Sequence, residues 1–77
     1  MEKGICLWFD AKKGYGFLRG DDIDTDVFVH YSNIVADPGE FKLLEENDLV
    51  EFETFLAERD GRDRLQAKNV RKSEMNQ

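Results

Sequence analysis

Between Lys3 and Val70 the chain offers five short segments rich in β-branched and aromatic residues, and none shows sustained helical periodicity. Residues 3–10 are apolar and aromatic and run into the turn signal Lys12-Lys13-Gly14; residues 15–18 follow between Gly14 and Gly20. Residues 21–25 form a polar loop, and residues 26–30 predict a third strand. Residues 31–34 predict one helical turn before the turn signal Asp37-Pro38-Gly39, and residues 41–47 read as irregular. From Asp48 onward Val50, Phe52, Thr54 and Leu56 alternate with Glu51 and Glu53, the pattern of a half-buried strand. A helix over residues 40–58 competes, because Glu, Leu and Lys abound there. Asp60-Gly61 predicts a turn, residues 65–70 a fifth strand, and residues 71–77 a polar, frayed tail. Five short strands in 77 residues leave exposed sheet edges unless the sheet closes. The expected architecture is therefore a small all-β, five-stranded antiparallel barrel.

Composition narrows the class. A chain with 40% hydrophobic and 36% charged residues suits one folded domain. The longest apolar run, Ile5-Cys6-Leu7-Trp8-Phe9, is far too short for a membrane span or an export signal, so no membrane association is expected. The single Cys6 cannot close an internal disulfide, which points to a reducing compartment and a cytoplasmic location. Cys6 and His30 alone cannot make a four-ligand zinc site, and no cofactor or metal is expected. The net charge of -6 argues against a polyanion partner until its distribution is read. Residues 1–19 hold Lys3, Lys12, Lys13 and Arg19 against Glu2 and Asp10; residues 20–56 hold only Lys42 against eleven acids. At physiological salt charges are screened over about 8 Å, so a modestly basic face can coexist with an acidic whole.

The aromatic residues are the functional signal. Strand periodicity puts Tyr15 and Phe17 on one face of their segment and Phe28 and His30 on one face of theirs. Leu18, Val27 and Val29 suit the core, which leaves the four rings pointing outward. Exposed apolar surface costs ~25 cal/mol per Å², so several outward rings call for a ligand or a cover. Gly14 and Gly16 add no bulk beside them and are expected to let a ligand approach the backbone. Trp8 and Phe9 are adjacent, so one needs a bulge or strand end to join this face; Trp8 is the expected stacking residue and Phe9 the semi-buried one. Flat rings with Lys13 at the rim suit unpaired bases, each worth ~1–3 kcal/mol when stacked, and Lys13 would meet phosphate. Paired bases have their faces covered, so single strands fit and duplex does not. The alternative is a protein-interaction module in which the same face docks a partner or pairs as a dimer.

These residues resemble the cold-shock domain family. Residues 4–10 (Gly4-Ile5-Cys6-Leu7-Trp8-Phe9-Asp10) resemble its opening G-x-V-K-W-F-N, and residues 13–18 (Lys13-Gly14-Tyr15-Gly16-Phe17-Leu18) its first ribonucleoprotein motif. Residues 26–32, Asp-Val-Phe-Val-His-Tyr-Ser, resemble its second, and residues 41–46 and 66–70 resemble F-K-[ST]-L-x-E and Q-A-x-N-V. The resemblance implies a cold-shock domain over residues 1–71 with a polar tail over 72–77. The implied fold is a five-stranded OB-fold barrel. The implied activity is binding of single-stranded RNA or DNA, pyrimidine-rich by expectation, as an RNA chaperone or gene regulator. The contacts carried over are Trp8, Lys13, Tyr15, Phe17, Phe28, His30, Tyr31 and Phe41, with Phe9 and Asp26 beside them. An RNA-recognition motif is rejected, because it carries its K-G-[FY]-[GA]-F run late and needs two helices.

Four departures stand out. Leu7 occupies a position where the family has Lys, and Asp10 one where it has Asn. Asn47 replaces a turn Gly, and Asn tolerates the left-handed backbone such a turn needs. Arg64-Leu65 replaces Gly-Pro before the last strand, which puts that loop's conformation in question. Weakened or altered binding is expected rather than lost function.

The remaining signals are weak. Asp22, Asp24 and Asp26 open like a calcium loop, but Val27 and Asn33 stand where Gly and Glu are required. His30 as a general base would need a nucleophile within ~2.6–3.2 Å, and Ser32 lies beyond the expected strand end. A non-enzymatic monomer is expected, with a dimer as the alternative.

Overall fold

The computed structural model describes residues 1–36, 43–59 and 61–73. Five strands close into a barrel: β1 (Glu2–Asp10), β2 (Tyr15–Gly20), β3 (Val27–His30), β4 (Leu49–Arg59) and β5 (Arg62–Lys72), in the spatial order β1-β2-β3-β5-β4. A 3₁₀ turn, Tyr31–Asn33, follows β3. The alternation in residues 48–56 is thus strand and not helix. The expected turn at residues 37–39 and Asp60 of the Asp60-Gly61 turn lie outside the described residues. Gly61 has a φ of 77°, the left-handed backbone that a tight hairpin favours.

Four of the five seams are antiparallel; the fifth, between β3 and β5, is parallel. It pairs Phe28 with Gln66, and a parallel bridge joins Ile34 to Val70. That seam corrects the all-antiparallel expectation: closing the barrel sets β3 beside a strand that runs the same way.

The core follows from period-two alternation. Cys6, Leu18, Val27, Val29, Val50, Phe52, Ala67 and Val70 are buried, with Ile34 and Leu44 capping them. Two irregularities keep inward and outward phases aligned. In β1 the register shifts between Cys6 and Trp8, which leaves Leu7 as the extra residue. In β5, Asn69 and Val70 lie opposite Phe52 alone, and Asn69 takes a φ of 53° while donating its amide to Glu53 Oε1 at 3.3 Å. Asn47 has a φ of 74°, so the turn that lost a Gly survives as expected.

The β4–β5 hairpin departs most from expectation. Arg64 pairs with Ala57 and Leu65 with Leu56, so Arg64-Leu65 belongs to a regular ladder that reaches Arg59 and Arg62. Leu56, expected to be half-buried, is 67% exposed. It keeps the inward phase of its strand, but the hairpin has run beyond the barrel core there, and only Leu65 still packs against it. Arg71 and Lys72, read from the sequence as the start of the tail, are paired with Glu51 and Val50. No helix among the described residues is long and apolar enough to cross a membrane.

Burial has a chemical consequence at Cys6, whose side chain is fully covered. Desolvation, and then the carboxylates of Asp48 and Glu46, push its thiol pKa from 9.0 to about 11, against the opposing charge of Lys72. Between those values the folded chain holds a proton that the unfolded chain has released. The stability this thiol contributes is whole below pH 9.0 and is lost as pH rises toward 11. The stability advantage of wild type over Cys6→Ala is accordingly expected to shrink across that window in urea titrations. The native thiol is also expected to resist iodoacetamide at pH 8, and rapid alkylation of folded protein would contradict its burial.

Candidate nucleic-acid interface

The bulge at Leu7 builds the outer face. Strict alternation would send Cys6 and Trp8 to the same side; the extra residue puts Cys6 opposite Leu18 in the core and Trp8 opposite Phe17 outside. Phe9 then turns inward and packs against the core, half-buried. Trp8 is 44% exposed. Of this adjacent pair, Trp8 thus stands outside and Phe9 is the half-buried ring.

Cross-strand register does the rest. Trp8 pairs with Phe17 and Phe17 with Phe28; one rung along, Asp10 pairs with Tyr15 and Tyr15 with His30. Directly opposed residues share a face, so rings from three strands meet. Trp8 lies 5.4 Å from Phe17 and 6.0 Å from Tyr15, and Phe28 lies 5.7 Å from each of Tyr15 and Phe17, centroid to centroid. Each pair sits in the distance range where edge-to-face and tilted contacts are favourable, about 0.5–1.5 kcal/mol apiece. The four rings thus form a closed circuit on the outside of the barrel. Tyr15, Phe17 and Phe28 are half-buried and Trp8 is exposed.

His30 and Tyr31 extend this patch, their rings 4.7 Å apart. Tyr31 is 50% exposed, and its backbone N–H donates to Gly14 O at 2.8 Å. His30 Nδ1 accepts from the Ser32 N–H at 3.3 Å and lies 2.8 Å from Ser32 Oγ. Ser32 therefore does reach His30, which strand geometry alone did not anticipate, because the 3₁₀ turn folds it back. The contact caps that turn. It engages Nδ1, so Nε2 is the ring nitrogen left for a ligand.

Lys13 is exposed and joins Lys12, Phe9, Ala11, Gly14, Tyr31 and Leu43 around an open groove of about 430 Å³. Two ammonium groups beside two aromatic rings suit a phosphate next to a base. Lys12 was not singled out in the sequence; its place in the turn makes it Lys13's neighbour. Asp10 shapes that turn, since its Oδ1 accepts the Lys12 N–H at 2.9 Å and the Lys13 N–H at 3.1 Å. Both contacts need only an acceptor, so Asp serves where the family has Asn. Asp26 binds Arg19, with Oδ1 2.6 Å from Nη2. Arg19 is thereby neutralised, and the carboxylate is held at the edge of the patch. Phe41 lies outside the described residues.

The glycines need a correction. Gly14 and Gly16 are buried, and the space above them is not open to a ligand. A Cβ on Gly16 would lie 2.2 Å from Trp8 O and 2.7 Å from Phe9 Cα; one on Gly14 would lie 2.9 Å from Tyr31 Cδ1. Gly16 lets β1 and β2 approach behind the rings, and Gly14, at a φ of 80°, makes the turn beneath Tyr31.

A family model described as the 'Cold-shock' DNA-binding domain matches residues 2–73. The chain belongs to the cold-shock domain family. This cold-shock domain is 51% identical over 72 residues to the major cold shock protein of Micrococcus luteus, covering 94% of this chain and 98% of that one. It is 55% identical over 53 residues to a cold shock protein of Arthrobacter globiformis, covering 69% of this chain and 76% of that one. Among solved structures, drosophila Unr CSD456 superposes with a TM-score of 0.72 at 27% identity, covering 97% of this chain and 27% of the Unr chain. The family is one of nucleic-acid binders, which agrees with an outer face built of rings and bordered by lysines.

Proposed function

We propose that this cold-shock domain binds single-stranded RNA or DNA by stacking unpaired bases on Trp8, Tyr15, Phe17 and Phe28. The supporting observation is the closed circuit of four outward rings, because stacking accepts any base and needs flat apolar faces in water. His30 Nε2 and Tyr31 contact bases at one end, while Lys12 and Lys13 meet phosphates where the groove holds Phe9. Phe41 and Asp26 complete the expected contact set. Pyrimidine-rich strands fit best, since their flexible backbones let successive bases lie on neighbouring rings. The protein acts as a cytoplasmic monomer and is not an enzyme. Binding open strands in preference to folded ones shifts RNA toward open forms, the work of an RNA chaperone or post-transcriptional regulator.

Stacking and phosphate attraction are separable by salt. Leu7 supplies no charge beside Trp8, Arg19 is occupied by Asp26, and residues 21–26 carry four acids. With about two or three phosphates neutralised, the log–log slope of affinity against salt is expected to be roughly -1.4 to -2.1. A pyrimidine-rich oligonucleotide titrated at several salt concentrations gives the slope, and the matching duplex should bind far more weakly. A slope several-fold steeper, or equal affinity for duplex, would contradict capture by stacking. Absence of binding together with concentration-dependent dimerisation would support protein docking instead.

A further inference from the structure

The row of outward residues does not stop at β3. Through the parallel seam Phe28 is opposite Gln66, and Gln66 is opposite Phe55 on β4. Trp8, Phe17, Phe28, Gln66 and Phe55 therefore stand in one continuous register that crosses all five strands. Phe55 lies on the outer phase of β4, where Glu51 and Glu53 show what an ordinary solvent-facing position holds. The Lys68 ammonium sits 5.8 Å from the Phe55 ring centroid. A half-buried ring with a lysine over it repeats the chemistry of Phe9 and Tyr31 beside Lys12 and Lys13. Phe28 and Phe55 are separated by two interstrand steps of about 4.8 Å each, so a base leaving Phe28 can pass Gln66 to reach Phe55. The Gln66 amide offers both a donor and an acceptor along that path.

We infer that Phe55 and Lys68, on the β4–β5 hairpin, form an additional nucleotide subsite that extends the strand-binding row beyond Phe28. The subsite rests on the proposed single-strand binding and adds to it. A base stacks on Phe55, and Lys68 leaves the ring to meet the adjoining phosphate. The long ladder through Arg64 and Leu65 keeps β4 and β5 paired there and so holds Phe55 in register. A strand long enough to continue past Phe28 gains affinity that a shorter one cannot.

Oligothymidylates of about four to about ten nucleotides test this with wild type and Phe55→Ala. The shortest strands should bind both proteins equally, because the four-ring circuit holds them. Longer strands should bind the variant roughly five- to 150-fold more weakly, the loss expected of one stacked base. Phe55→Leu, which keeps apolar bulk without a flat ring, should behave as Ala does, and Phe55→Trp should restore the gain. Lys68→Ala should lower the salt slope by about 0.7 for long strands only. If wild type binds well and Phe55→Ala or Phe55→Leu matches it at every length, the subsite is refuted while single-strand binding stands. If wild type binds no strand, both ideas fall.

Discussion

Replacing Phe28 with Ala is expected to weaken binding of a pyrimidine-rich single strand by roughly five- to 150-fold, with the salt slope unchanged. Phe28 is the middle of the patch: its ring touches Tyr15 and Phe17, and its strand neighbours are Phe17 and Gln66. Its loss removes a stacking surface and breaks the path along which consecutive bases lie. Two ring contacts go with it, so some stability is lost, and binding belongs at a temperature where circular dichroism shows the variant folded. Phe28→Leu, which retains apolar area, should rescue stability and leave binding weak. Lys13→Ala makes the opposite prediction, a slope shallower by about 0.7 with a smaller loss of affinity. Equal affinity of Phe28→Ala and wild type would remove the stacking mechanism.

The second large effect lies behind the rings. Gly16→Ala is expected to cost about 3 kcal/mol or more, because the new methyl group meets backbone atoms that no rotamer change can move. A domain this small holds only about 0.05–0.15 kcal/mol of stability per residue, so such a loss is a large share of the whole. The midpoint of thermal unfolding should fall by roughly 12 °C or more. This outcome separates two roles for the glycine. Were Gly16 there to admit a ligand, Ala would weaken binding and leave the melting temperature nearly unchanged. Gly14→Ala should be milder, since the atom it meets belongs to the rotatable Tyr31 side chain, although its φ of 80° adds strain.

Much of this molecule is legible in its residues, because short alternating segments have few ways to fold at this size. The faces of β2 and β3 follow directly from Leu18, Val27 and Val29 against Tyr15, Phe17, Phe28 and His30. That Trp8 and Phe9 could both join the outer face only with a bulge or a strand end follows from their adjacency, whereas the bulge that forms separates Cys6 from Trp8. Its position at Leu7 is not legible, because a bulge is placed by pairing with β2 and leaves no residue signature of its own. The parallel seam is likewise a property of closure, set by residues distant in sequence. Leu56 misleads because periodicity gives the side of a strand and not how far the barrel beneath it extends. The roles of Gly16 and Asp10 depend on what lies opposite them, the backbone of β1 in one case and two turn amides in the other. Phe55 carries no signal in the sequence because its companions Phe28 and Gln66 lie on other strands and become neighbours only when the sheet closes.

The central claim is that unpaired bases lie flat on the outer rings, and Trp8 reports on it directly as the only tryptophan. Titrating the protein with a short pyrimidine-rich single strand while following Trp8 fluorescence should give a saturable change that Phe17→Ala and Phe28→Ala weaken. An unresponsive Trp8 at high strand concentration, in protein shown to be folded, would contradict it.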